Sequence, residues 1–145
     1  MPQPSAIVLS VPAGDTGDLV SAHDVHACPE RYRYRSDMLI TVRPEGGRME
    51  AIYRVDYTFV AHPDDPALLG HVRPEDRQRV RSYVDQRQAR GLFFDEPFRF
   101  YVFSRNDVIE LTARPRMERN AQGHCYFTVG ELTSGRPVVQ LASRR

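Results

Sequence analysis

A chain of 145 residues with a net charge of +1 has the length of one ordinary domain and lacks the cationic surplus of a globally basic nucleic-acid binder. All twenty basic side chains are arginine, and without lysine the P-loop, Schiff-base and lysine-dependent nuclease chemistries drop out. No run approaches the ~18 apolar residues of a membrane helix, the N-terminus lacks the pattern of a signal peptide, and the two cysteines, Cys28 and Cys125, are too few for a disulfide scaffold, so a soluble, cytoplasmic domain is expected.

Residues 6–11, "AIVLSV", form a short β-branched run closed by Pro12-Ala13-Gly14, which predicts a buried strand. Asp15, Thr16 and Asp18 then offer N-caps to Leu19, Val20, Ala22 and Val25, predicting a short helix ended by Pro29. The stretch "ERYRYRSDMLITV", residues 30–42, alternates guanidinium and phenol before it turns apolar. Segments 37–43 and 48–61, separated by "PEGG", read as a β-hairpin. On its second strand Ala51, Tyr53, Val55, Tyr57 and Phe59 share one face, expected in the core; Ile52, Arg54, Asp56 and Thr58 share the other, expected to meet water or a ligand.

After the proline-rich loop "HPDDPALLGHVRP", residues 74–90 predict a surface helix, with proline in its first turn and Gly91 past its end. Residues 97–104, "PFRFYVFS", carry aromatics on both faces, as a central strand does, and 108–113 is its expected partner. A polar loop, "ARPRMERNAQG", leads to a helix over 129–134 capped by Thr128, and "PVVQLA" closes the sheet. Six or seven strands with two or three short helices, not strictly alternating, predict an α+β fold: a compact, mixed, largely antiparallel barrel forming one domain over residues 1–145.

In order and pattern, Arg31-Tyr32 to Val42, Met49 to Phe59, Phe98 to Phe103, Val108 to Leu111 and Tyr126 to Leu132 resemble the PUA-like superfamily, and within it the EVE-like domains. The chain departs from them in its Arg-heavy "RYRYR" and in having no tryptophan. The resemblance implies a pseudo-barrel whose mouth grips a nucleic acid or a flipped, modified base, in some cases as the reader module of a restriction or defence system. That step is analogy from fold.

Parity divides the Arg/Tyr stretch, with Arg31, Arg33 and Arg35 on one face and Tyr32 and Tyr34 on the other. Rings stack bases and arginine forks hold phosphates, so Tyr32, Arg33, Tyr34, Arg35, Arg54, Arg114 and Arg116 are the candidate nucleic-acid contacts, set against a plain amphipathic strand edge. Arg54 and Asp56 are equally suited to pairing across strands. Along the 74–90 helix, Arg73, Arg77, Arg81, Arg87 and Arg90 form either a phosphate-binding row or, with Glu75, Asp76 and Asp85, internal ion pairs.

A second reading places a small-molecule pocket among Tyr101, Phe103 and Tyr126; a third is a protein-interaction module with no ligand. "HDVHAC" gathers His23, His26 and Cys28, and His124-Cys125 lie near the other end, but the spacing is not that of a zinc site and nothing local activates either thiol. Asp64, Asp65, Asp95 and Glu96 sit beside prolines and read as turn residues. No catalytic residue, metal or cofactor is assigned.

Overall fold

The apolar N-terminal run becomes the first strand of the computed structural model, which describes residues 2–32, 39–44, 46–118 and 123–144. In chain order the strands and helices are β1 (Ile7–Gly14), α1 (Gly17–His23), β2 (Val25–Pro29), β3 (Leu39–Pro44) and β4 (Ala51–Ala61). Two 3₁₀ turns, Leu68–His71 and Pro74–Asp76, lead into α2 (Arg77–Ala89). Then follow β5 (Phe98–Phe103), β6 (Ile109–Glu110), β7 (Arg116–Met117), β8 (Cys125–Thr128), α3 (Val129–Leu132), β9 (Val138–Val139) and β10 (Ser143–Arg144).

The main sheet runs β10-β8-β1-β3-β4-β5-β2, with β6 added along β4; β7 and β9 pair separately. Its ladders are antiparallel except β1–β3, where Leu9 faces Ile40 and Val11 faces Val42 in parallel register. The α+β class and the mixed, mostly antiparallel sheet agree with the sequence reading. Among the described residues no ladder joins β2 to β10, so the sheet is open where a closed barrel was expected. No helix there is long and apolar enough to cross a membrane.

Three local expectations are corrected. The first helix does not continue to Pro29: Asp24 adopts a left-handed conformation (φ 55°, ψ 43°) that ends α1, and the next five residues form β2, buried along its whole length against β5. The segment after β5 does not pair back on it. Two of its residues form β6, where Ile109 faces Ile52 and Glu110 faces Ala51 of β4. "PVVQLA" supplies only β9, and the strand added at the end of the main sheet is β10.

The parity of β4 holds where it matters. Tyr53, Val55 and Phe59 are buried in the larger core, under α1 and α2, while Arg54, Asp56 and Thr58 are exposed. A bulge between Val55 and Tyr57 takes Asp56 out of register with β5. Ile52 breaks the expectation for its face: it lies fully buried in a second core with Val8, Met49, Leu111 and Phe127. Leu111, Met117, Leu132 and Val139 cover that part of the sheet's far side, which periodicity within β4 alone does not reveal.

Helix α2 turns two arginines inward and protects the edge of the sheet. The Tyr83 hydroxyl accepts from the Ala27 amide (3.0 Å), and Arg87 donates to the Ala27 carbonyl and to the Tyr83 hydroxyl (2.8 Å each). The backbone groups of β2 that face away from β5 at Ala27 are thereby occupied, blunting a strand edge that would otherwise invite pairing. The Arg87 guanidinium also stacks 4.5 Å from the centre of the Phe93 ring. Arg79 ties Asp76 (2.6 Å) to the Asp24 carbonyl (3.0 Å), locking the start of α2 onto the end of α1.

Candidate functional site

The sequence-selected residues are spread along β4 and into the core instead of converging. β4 is eleven residues long, so at ~3.3 Å per residue its ends lie roughly 33 Å apart. Tyr32 belongs to its C-terminal end, Arg54 to its middle, and Arg114 and Arg116 to its N-terminal end. Arg33, Tyr34 and Arg35 lie outside the described residues.

At the C-terminal end, the opening of the Arg/Tyr stretch is engaged in ion pairs. Glu30 accepts a two-pronged bond from Arg99 (3.0 and 3.1 Å), and Arg31 donates to Glu96 (2.8 Å). Arg31 also donates to the Tyr32 hydroxyl (2.9 Å) and lies 4.4 Å from the centre of its ring. Tyr32 remains exposed, as does Phe94 in the neighbouring turn, a ring the sequence reading passed over.

Tyr101 and Tyr126 are 7% and 0% exposed, and Phe103 is fully buried, so these rings fill the core. Tyr53 stacks on Phe103 at 4.7 Å, and Tyr101 lies over His26 at 6.2 Å. Arg54 pairs with Asp107 (3.5 Å), not with Asp56. Of the arginines offered as either a phosphate-binding row or internal ion pairs, Arg87 is buried while Arg73, Arg77, Arg81 and Arg90 are exposed; Arg77 donates to the Val72 carbonyl, Arg90 binds both oxygens of Asp18 (2.9 and 2.7 Å), and Asp76 pairs with the buried Arg79.

The remaining titratable groups favour structure over chemistry. Burial pushes the Cys28 thiol up to about 11, the reverse of an activated nucleophile. Burial, with the positive charge of Arg87 behind it, pushes His26 down to about 3, and neither of its ring nitrogens has a hydrogen-bond partner among the described residues. No group of three or more metal-ligating side chains occurs among the described residues. Asp95 accepts from His62 (2.6 Å) and Asp64 from Gln88 (2.7 Å), so the acidic loops brace one another.

Arg43 was missed, because an arginine inside "LITVRP" gives no sign of its direction. It is 4% exposed, with Nη1 on Cys125 Sγ (3.0 Å) and Met117 Sδ (3.6 Å) and Nη2 on the Gly123 carbonyl. No carboxylate among the described residues pairs with it, and its charge, after burial, holds His124 below its ordinary value.

The N-terminal end of β4 is different: the exposed Arg48 and Arg114 come together here, and the exposed Arg116, its guanidinium on the Met117 carbonyl (3.5 Å), follows two residues on. The turn after β6 closes through the Arg114 amide on the Leu111 carbonyl (2.9 Å) and leaves Arg114 at φ 46°, a conformation rarely held by a side-chain-bearing residue. Arg48 donates to the Arg114 carbonyl (3.2 Å), the Met49 amide bonds the Pro115 carbonyl (2.8 Å), and Arg116 follows in β7. The one carboxylate in ion-pair range of these guanidinium groups, among the described residues, is Glu50, 3.8 Å from Arg114. Of the candidates from the sequence, Arg114 and Arg116 lie exposed at this end, and Arg48, which the sequence reading did not single out, lies against the Arg114 carbonyl. No family model, no curated protein and no solved structure matches the chain. Its candidate site therefore rests on this geometry.

Proposed function

We propose that the chain is a non-catalytic recognition domain that binds nucleic acid, gripping the phosphate backbone with Arg48, Arg114 and Arg116. One observation carries this reading: the exposed Arg48 and Arg114 come together at a turn that holds Arg114 at φ 46°, with Arg116 exposed two residues on and, among the described residues, one carboxylate in ion-pair range, Glu50, at 3.8 Å, beyond hydrogen-bonding distance. Arginine forks match phosphate oxygens, and such contacts position a strand without reading its sequence. The near-neutral total charge is compatible with a patch this small. The PUA-like reading of the mixed sheet, the recognition of a modified base and a place in a defence or modification system belong to the same proposal.

Fluorescence anisotropy with labelled DNA and RNA oligonucleotides, plain and modified, at about 50 and 200 mM salt tests it. Binding should weaken steeply with salt, and a variant carrying Arg114→Ala with Arg116→Ala should reduce the salt slope by about 2 while keeping its thermal midpoint. Absence of binding at low salt, or a double variant that binds as the parent does, refutes the proposal.

A further inference from the structure

Between α1 and the β3–β4 hairpin lies a cleft of about 580 Å³, within the usual range of small-molecule sites. Its apolar surface comes mainly from Val42, Pro44 and the ring of Tyr53; its polar groups are the Ser21 hydroxyl and the carboxylates of Asp18 and Glu50. One end is closed where α1 meets the hairpin, Gly17 lying so close to Pro44 that a Cβ there would stand 2.6 Å from the proline's own. Among the described residues no arginine or histidine lines this space, in a chain with twenty arginines.

The two carboxylates are not equivalent. Asp18 is taken up by the two-pronged bond from Arg90, which holds its carboxyl below the ordinary range. Glu50 is half-exposed, and its nearest guanidinium nitrogen, on Arg114, stands at 3.8 Å, beyond hydrogen-bonding distance. The Tyr53 hydroxyl is pushed up first by burial, which its hydrogen bond with Ser21 opposes, with smaller upward contributions from Asp24, Glu110 and Glu50. An apolar floor with acceptors at its rim, of which Glu50 has a guanidinium only at 3.8 Å, complements a group with an apolar stem and a positively charged head.

We infer that this cleft binds a small organic cation, an alkylammonium or alkylguanidinium, with its charge on Glu50 and its carbon chain on Val42, Pro44 and Tyr53. The hydroxyls of Ser21 and Tyr53 accept further N–H bonds from the head group. The site needs no nucleic acid, and it shares Glu50 with the arginine corner, where that carboxylate stands 3.8 Å from Arg114.

NMR titration of the whole chain with butylammonium and agmatine, against butanol and butyrate as neutral and anionic counterparts of similar length, tests the inference. The cations should give saturable shifts at the Ser21, Ala51 and Tyr53 amides, and the counterparts should not. Glu50→Gln, at an exposed position whose loss leaves the core intact, should weaken cation binding by about tenfold or more. Ala22→Phe, which fills the cleft from the exposed side of α1, should abolish it. Equal binding of butanol, unsaturable shifts spread over all surface carboxylates, or unchanged affinity in either folded variant overturns the assignment.

Discussion

Lowering the pH from 7 to 5 should cost the folded state about 2 kcal/mol through His26 alone. The ring is 2% exposed, neither nitrogen is hydrogen-bonded among the described residues, and burial with help from Arg87 holds it at about 3 against an ordinary value of 6.5. Because the folded value is the lower one, the unfolded chain binds the extra proton. The contribution of His26 is then complete above about pH 6.5 and is lost at about 1.4 kcal/mol per unit as pH falls toward 3. Against a total stability of about 5–15 kcal/mol, such a loss is easily measured. His124, also held low by burial and by Arg43, acts with the same sign, so the contribution of His26 must be isolated by difference. Urea unfolding of the parent and of His26→Phe at pH 7 and 5 does this: the parent should lose about 2 kcal/mol more than the variant. Equal losses in both proteins, or an NMR-titrated His26 value above about 6, would show that the ring reaches solvent or a partner and would refute the reasoning.

Removing the arginine that covers the sheet edge should be costly. Arg87→Leu leaves the buried Ala27 carbonyl without a donor and removes one of the Tyr83 hydroxyl's two bonds, and should lower stability by about 3 kcal/mol in urea unfolding; a loss below about 1 would mean that water substitutes freely. Gly17→Ala should cost about 1–3 kcal/mol because the new methyl collides with Pro44, and an unchanged thermal midpoint would contradict that packing. Ile52→Ala should cost about 2–5 kcal/mol, the range of a filled core position, whereas a solvent-facing residue would give almost none.

Local chemistry announced several elements. The alternation of β4, the all-round aromatic character of β5, the Pro74-led 3₁₀ turn that opens into α2 and the Thr128 cap, whose hydroxyl accepts from the Glu131 amide at 3.1 Å, all follow from neighbours in the chain. β2 does not. "VHACP" is too short and too uniformly buried for a period to show, and it becomes a strand through pairing with β5 and the cover that Tyr83 and Arg87 give its edge. The same limit governs the site. An aromatic on a strand reads alike whether it fills a core, as Tyr101 and Tyr126 do, or lines a pocket. An arginine on a helix reads alike whether it meets phosphate or, as Arg79 and Arg87 do, a buried carbonyl. The Arg114–Arg116 pair was visible because both residues share one loop, but Arg48 joins them only across 66 residues of sequence.

β4 gives Ile52 to the small core on one side of the sheet and Tyr53, Val55 and Phe59 to the large one on the other. Neither core can come apart while the other stays whole without breaking a strand that both require. The two are thus joined into a single cooperative unit: amide exchange along β4 should proceed only through global opening, and a lesion planted in the small core should be felt by the large one.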